Sequence, residues 1–508
     1  MNITIVGAGT SGNLAALFCN KYFPKATVQV IEDLTTGIIG VGESTTPALL
    51  DMLAYLDITL SEMVINCGAT LKNATRFTNW SGKNDIYHHG FNVKDEYDLF
   101  LGSNKNYYSS KKISLPNHKS LLGLYGLYYS NSVEDLHLSS ILSYANKVPF
   151  EQGTLTDNYA AFGLHFDAKK VADFLKHKGT ERGIEFINGK VIASELNEKG
   201  YVEKIILSSG GKYEVDFIFD CSGFNRLFVE KTYKSKFNSF SNFLPVKKAI
   251  PFFIQNESTT PTYTESIALK YGWMWKTPVG NRFGCGYVFD SDYINQDQAY
   301  DEVTSFLGFR PEVSRCLNFD SGYFEKVWNK NVLAIGLSSG FLEPLEATSI
   351  WITVISLNLL TEHISGIVMQ DESAIEEYNI EFSKNIASIL ALVQFHYLTN
   401  RNDSKFWIEF REKNILSPLL YELLDLYKNR TPSMIENYKY FNFPMFSWLL
   451  VGSGIEYFPR HIIEKEFLTY NIKENISHDF VQSFKSNLQS VTRRSYDHDE
   501  FLNILRQE

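Results

Sequence analysis

Residues 2–6 read as a short apolar strand, and the glycine-rich turn Gly7-Ala8-Gly9-Thr10-Ser11-Gly12 follows it directly. A helical pattern then runs from Asn13 to Tyr22, and a second strand from Thr27 to Ile31 ends at Glu32-Asp33. The periodicity changes as a strand–turn–helix–strand unit requires. A second glycine cluster, Gly37, Gly40 and Gly42, leads into Glu43-Ser44-Thr45-Thr46-Pro47, and helical periodicity resumes from Pro47 to Leu56. Residues 69–78 alternate, which predicts one strand with Lys72 and Arg76 on the same face. Residues 100–155 are polar, rich in Tyr and Ser and weakly periodic, so long loops with short helices are expected there.

Asp167 is placed to cap a helix over Ala168 to Glu181. Strands are predicted at 184–195, 201–209 and 215–219, the last running into Asp220-Cys221-Ser222-Gly223. Residues 245–290 read as several strands, with turns at Pro278-Val279-Gly280 and Gly284-Cys285-Gly286. Val332 to Ile335 is a buried strand ending at Gly336, and Ala347 to Ser365 an apolar helix. From about residue 375 the pattern is mostly helical, interrupted near 430–460, and a boundary near 370 divides the chain into 1–370 and 371–508.

The chain has 508 residues, enough for two or three domains. It has no apolar run long enough for a membrane helix. The N-terminus lacks a basic start and signal-peptide core, so a cytoplasmic location is expected. A net charge of −10 without a basic block argues against nucleic acid as partner. Five scattered cysteines with no CxxC pair argue for a reduced chain without a zinc site. Aromatics make up 15% of residues, which predicts an aromatic-rich core before a flat ligand pocket.

The glycine turn carries the first chemistry. Gly7, Gly9 and Gly12 have dinucleotide spacing between a strand and a helix, and Glu32 lies where a carboxylate can hold a ribose hydroxyl. The turns at Asp220-Cys221-Ser222-Gly223 and Ile335-Gly336-Leu337 each end a buried strand. In two-domain flavoproteins such turns pass the flavin, an analogy of fold that favours FAD over NAD.

Three further segments are more specific: Trp273-Met274-Trp275-Lys276-Thr277-Pro278, residues Gly68 to Trp80 around Lys72, and Phe341-Leu342-Glu343-Pro344-Leu345-Glu346-Ala347-Thr348. With the glycine turn they resemble the flavin-dependent halogenases of the tryptophan halogenase type. The resemblance implies an α/β fold: an FAD-binding Rossmann-like domain of the flavin monooxygenase type, with a mixed sheet and a mostly helical C-terminal part. It implies that reduced FAD (FADH2), O2 and a halide ion generate hypohalous acid. Lys72 would present the electrophilic halogen to an aromatic carbon, and Glu346 would orient it or stabilise the ring cation. Backbone amides at Thr348 and Ser349 would hold the halide. Gly7, Gly9, Thr10, Ser11, Gly12, Glu32, Ser44, Val191, Leu337 and Ile350 would line the cofactor.

Departures from the family pattern are Thr277 for Ile, Ala347 for Ser and Ser349 for Gly. They leave open a glutamate–serine proton relay and the choice among chloride, bromide and iodide. His396-Tyr397 and Arg401 to Trp407 resemble a family segment expected to pack beneath the active site. His88, His89, Phe91 and Trp448 are candidates for an aromatic guest, and residues 436–459, with Tyr438, Tyr440, Phe441, Phe443, Phe446, Trp448, Glu456 and Tyr457, for a lid. Free tryptophan or another electron-rich aromatic both fit. The expected partner is a separate flavin reductase, and homo-oligomerisation is open. The alternative activity is flavin-dependent aromatic hydroxylation without halide.

Overall fold

The computed structural model describes residues 1–37, 40, 42–91, 121–130, 132–155, 158–256, 258–313, 315–413, 415–433, 436, 442–475 and 477–507. The architecture is mixed α/β, and the chain falls into two compact units, each drawn from three stretches. One holds residues 1–69, 166–244 and 318–386, the other 70–165, 245–317 and 387–508. The units interleave along the chain, whereas the sequence suggested a division at residue 370.

The first unit is built on a sheet ordered Trp328–Asn329, Val332–Ala334, Phe217–Asp220, Asn2–Val6, Thr27–Glu32, Glu185–Asn188. Its pairings are parallel except the first. Phe217–Asp220 is buried along its whole length, as expected of a parallel strand covered on both faces. Helix Thr10–Tyr22 packs on Ala168–Glu181. Asp167 caps the latter by accepting from the Lys169 and Lys170 amides, as expected. A reciprocal Thr59–Glu62 capping box starts Leu60–Cys67.

The single strand expected over 184–195 is two strands, Glu185–Asn188 and Val191–Leu196, in different sheets. The break falls at Gly189, whose amide bonds Glu32 O, and a Cβ there would sit 2.4 Å from Leu207 Cδ1. A side chain there would have to displace Leu207.

The second unit carries most of a sheet ordered Leu317–Asn318, Lys248–Gln255, Arg282–Phe289, Gly272–Val279, Tyr263–Leu269, Ala74–Thr78, Ile86–Gly90. The strand expected over 69–78 breaks at Asn73, whose amide bonds Thr262 O. Thr70–Lys72 pairs with residues 163–165, while Ala74–Thr78 joins the large sheet. The break separates the two basic residues. Lys72 lies against Phe91, and Arg76 reaches Tyr263 and Glu265.

Gly284-Cys285-Gly286, expected as a turn, lies within strand Arg282–Phe289. There Gly286 pairs with Trp275 and Gly284 with Thr277. A Cβ on Gly286 would lie 2.0 Å from Trp275 Cη2, so the glycine makes room for the indole.

Of residues 100–155, those up to 120 lie outside the described residues. Helices Leu121–Ser130 and Leu138–Tyr144 follow, as expected. The strand Lys147–Glu151 was not expected, because its partner is the distant Ser495–Asp497. The C-terminal part is mostly helical, and helix Met445–Gly454 falls inside the expected interruption. Trp80, Trp273, Trp328, Trp407 and Trp448 are all under 2% exposed, so the aromatic content does build core. Among the described residues no helix is long and apolar enough to cross a membrane, and none of the five cysteines forms a disulfide.

Gly286→Ala should displace the Trp275 ring and lower stability by about 1–3 kcal/mol, the usual cost of overpacking. Denaturant unfolding measures this. An unchanged midpoint would mean that the indole does not rest on Gly286.

Candidate active site

The first unit forms a cradle at the turn after strand Asn2–Val6. Gly7 has φ +111°, and a Cβ there would lie 2.2 Å from Cys221 O. A Cβ on Gly12 would lie 1.9 Å from Gly7 O. Both positions are closed by backbone. Gly9 differs, because an added Cβ would meet nothing within 4 Å. Gly9 also caps helix Thr10–Tyr22 without any side-chain hydrogen bond. Open space above uncapped amides at the positive end of a helix suits a pyrophosphate. The residues therefore fit the nucleotide portion of FAD.

Neighbouring groups build the cradle wall. Ser11 Oγ lies 2.8 Å from Thr353 Oγ1. A Cβ on Gly336, at φ +66°, would lie 2.5 Å from the same oxygen, so the turn holding Leu337 closes on the helix start. Asp220 accepts from the Ser222 hydroxyl and amide and from the Phe228 and Val229 amides, which fixes the turn expected near the flavin. Glu32 ends its strand and is ion-paired with Lys176. Ser44 lies half-buried in the short strand Glu43–Ser44. Val191 packs with Val6 and Ile31, and Ile350 is buried in helix Thr348–Glu362.

The same unit carries the carboxylate turn. Pro344–Glu346 forms one turn of 3₁₀ helix, and Ala347 adopts φ +58° before helix Thr348–Glu362 begins. That left-handed conformation costs an L-residue about 1–2 kcal/mol. Glu346 is 6% exposed. Ala347 offers no side-chain cap, so the first amides of the helix face outward from an uncapped end. Thr348 is fully buried, and its hydroxyl has no hydrogen-bond partner among the described residues. Ser349 is half-buried. Uncapped amides beside a buried hydroxyl suit a small anion.

In the second unit Lys72 is 1% exposed, with its ammonium 5.1 Å from the centre of the Phe91 ring. Its strand is held from both sides by imidazoles. The Leu71 amide donates to His498 Nε2 at 3.0 Å, and His498 Nδ1 faces Thr260 O at 2.9 Å, which places the proton on Nδ1. Thr70 Oγ1 lies 3.2 Å from His165 Nδ1, whose Nε2 meets Thr264 Oγ1 at 3.0 Å. Burial lowers the His498 pKa to about 4. Burial, then the charges of Lys72 and His498, hold His165 well below its ordinary value. Neither histidine was marked by the sequence, and His498 comes 426 positions after Lys72 with no local signal.

Trp273 donates from Nε1 to the Tyr397 hydroxyl at 2.9 Å. His396 stacks on Phe77 at 4.3 Å, and Arg401 bonds the carbonyls of Asn79 and Ala268. Segment 396–407 thus packs against these strands. His89 is buried, 6.4 Å from the rings of His396 and Phe443. His88, the next residue of the strand, points to the other face, where it meets Tyr144 and Tyr263. It does not join Lys72 and Phe91. Trp448 packs between Phe395 and Tyr427 with its indole N–H on Phe443 O. Glu456 pairs with Lys83 near the surface. Tyr438, Tyr440 and Phe441 lie outside the described residues.

A family model described as tryptophan halogenase matches residues 2–465. The chain belongs to the tryptophan halogenase family. It is a flavin-dependent halogenase by family, hence an oxidoreductase. Tryptophan 6-halogenase ThaL of Streptomyces albogriseolus is 29% identical over 430 residues, 80% of this chain and 78% of its own. Tryptophan 7-halogenase RebH of Lentzea aerocolonigenes is 29% identical over 447 residues, 84% and 81% of the two chains. Among solved structures, BrvH, a flavin-dependent halogenase from Brevundimonas sp. BAL3, superposes with a TM-score of 0.82 at 25% identity, covering 99% of both chains. A tryptophan halogenase from Shewanella frigidimarina shares the fold, with a TM-score of 0.86 at 24% identity over 100% of this chain and 98% of that one.

Two measurements probe this halogenase-family site. Gly9→Ala should fold with a loss below about 1 kcal/mol, since its backbone is ordinary and its surroundings open. Its flavin affinity should fall about tenfold or more, read by flavin titration. Unchanged affinity would remove the pyrophosphate from above Gly9. The second test is pH. A folded-state pKa near 4 for His498, against 6.5 for the free side chain, means that the unfolded chain binds a proton between these values and the folded chain does not. Stability is complete above about pH 6.5 and falls by about 3 kcal/mol as pH drops towards 4. His498→Gln should flatten that slope in unfolding curves at pH 7 and pH 5, and an unaltered slope would assign it to other groups.

Proposed function

We propose that this enzyme attaches a halogen to an electron-rich aromatic or indole small molecule, consuming FADH2, O2 and chloride, bromide or iodide. The observation that carries this reading is the burial of Lys72 against an aromatic ring on an immobilised strand, in a chain of this family. A lysine with no task on a strand is normally solvated.

When bound, reduced FAD together with O2 supplies the two-electron oxidant that converts halide to hypohalous acid. The amides of Thr348 and Ser349 hold the halide at the helix start. Lys72 hydrogen-bonds the hypohalous acid, or forms a haloamine with release of water, and delivers the electrophilic halogen to the ring carbon. The ring then loses its proton, so that C–H and hypohalous acid become carbon–halogen and water. Glu346 stabilises the cationic ring, a role worth a few kcal/mol for one well-placed carboxylate. Ala347 has no hydroxyl, so Glu346 works here without a neighbouring serine. Phe91 and His89 supply flat faces for a planar guest. A separate flavin reductase delivers FADH2. The names of the relatives, tryptophan 6- and 7-halogenases, make an indole the first substrate to test.

Turnover with a flavin reductase, indoles and equal chloride and bromide should give products carrying halogen isotope patterns in mass spectrometry. A product that gains one oxygen and no halogen would overturn the reading in favour of hydroxylation. Lys72→Ala should lower product formation by about 10²-fold or more while flavin binding persists. Halogenation by this variant at the normal rate would end the assigned role.

A further inference from the structure

Strand Gly272–Val279 has two chemically different faces. Trp273, Trp275 and Thr277 alternate on one, and Met274 and Lys276 on the other. On the Lys276 face the large sheet borders a cavity of about 230 Å³, whose walls include Arg76, His88, Tyr144, Tyr263, Glu265 and Lys276. All six belong to the second unit. The cavity lies across the sheet from the two tryptophans, so the chemistry derived above does not use it.

The charges around the cavity are not all paired. Arg76 donates from Nη1 to the Tyr263 hydroxyl at 2.8 Å, and its Nε lies 3.5 Å from Glu265 Oε1. These two side chains are 24% and 16% exposed. Glu265 is shared further, accepting from Thr78 Oγ1 at 2.7 Å. Lys276 has no carboxylate partner among the described residues, and its ammonium lies 4.3 Å from the centre of the Phe283 ring. Glu134 Oε2 accepts from the Tyr144 hydroxyl at 2.7 Å and lies 3.7 Å from His88 Nδ1. Lys276 is therefore a cation at the cavity wall without an ion pair among the described residues.

His88 supplies the second, independent observation. It is fully buried, and neither ring nitrogen has a hydrogen-bond partner among the described residues. The nearest carboxylate oxygen, Glu134 Oε2, lies 3.7 Å from Nδ1, beyond hydrogen bonding. A buried ring N–H left unmade is costly, and a ligand in the cavity would satisfy it.

We propose that this cavity binds a small molecule bearing an oxyanion, a carboxylate or a phosphate, with Lys276 and Arg76 as its charge partners and His88 as a hydrogen-bond donor. The volume equals that of on the order of eight waters, enough for a small dicarboxylate or inorganic phosphate. Arginine and lysine together suit either group, the first by its fork and the second as a point charge.

The test is calorimetric titration of the full chain, saturated with FAD so that its pyrophosphate cradle is filled, at fixed chloride concentration. Inorganic phosphate and succinate are titrated separately. Saturable one-site binding of either is expected, and which one binds identifies the oxyanion. Lys276→Gln removes an ammonium with no ion pair to disturb, and should weaken binding about tenfold or more with flavin affinity unchanged. Arg76→Gln, checked for folding by circular dichroism, should do the same. No saturable binding of either anion below about 10 mM would overturn the proposal. Equal binding by wild type and Lys276→Gln would also overturn it.

Discussion

The hydrogen bond from the Leu71 amide to His498 Nε2 is the contact on which the lysine site depends. Taking an amine out of water is costly, and the cost is met only if the amine is held where its partners are. Strand Thr70–Lys72 is three residues long and cannot hold itself. The strand at 163–165 pairs with one edge, and two imidazoles take up Thr70 and Leu71. Both imidazoles must be neutral. A protonated His498 would turn a donor towards the Leu71 N–H and lose the acceptor that bond requires. Burial keeps the ring neutral and so keeps the strand in place. The chain's last helix, His498–Leu505, begins at this residue, and the strand just before it pairs with Lys147–Glu151. The C-terminal end of the sequence is thus part of the support for Lys72.

A second constraint is the two-residue period of the large sheet. Trp275 needs a partner without a side chain, and Gly286 provides it. Adjacent residues then serve opposite faces. His89 lies with His396 and Phe443, whereas His88 lies with Tyr144 and Tyr263. A register slip of one residue in Gly272–Val279 would carry Lys276 to the face that now holds Trp273 and Trp275, and carry both tryptophans to the cavity side. The continuous pairing of Gly272–Val279 with Arg282–Phe289, in register from end to end, guards against this.

The strand–turn–helix–strand unit at residues 2–32 was legible because its determinants are local. The glycine spacing, the strand before it, the helix after it and Glu32 all lie within one stretch whose geometry follows from backbone sterics. The helix at Ala168–Glu181 and its Asp167 cap were legible for the same reason. Features made by distant partners were not. Alternation over 69–78 concealed a break, because Asn73 is held by Thr262, a residue far along the chain. Gly284-Cys285-Gly286 looked like a turn, since glycine usually marks one, but here it makes space for an indole on the neighbouring strand. Helix packing buries Trp448 between Phe395 and Tyr427, partners the sequence does not mark.

The positions that depart from the family pattern are informative about where specificity is stored. Thr277 keeps the β-branched shape that a strand prefers and remains buried opposite Gly284. Ala347 discards a hydroxyl but keeps the left-handed conformation that ends the 3₁₀ turn and starts the helix. An alanine has no side chain able to impose that conformation, so the surrounding chain must, beginning with Pro344, whose ring restricts φ at the start of the turn. The amides at Thr348 and Ser349 are therefore aimed by backbone geometry and not by the residue that precedes them. A helix start set by backbone tolerates side-chain exchange at the residues around it. In the proposed halide role, the rim side chains, Ser349 above all, would set the size of what these amides accept.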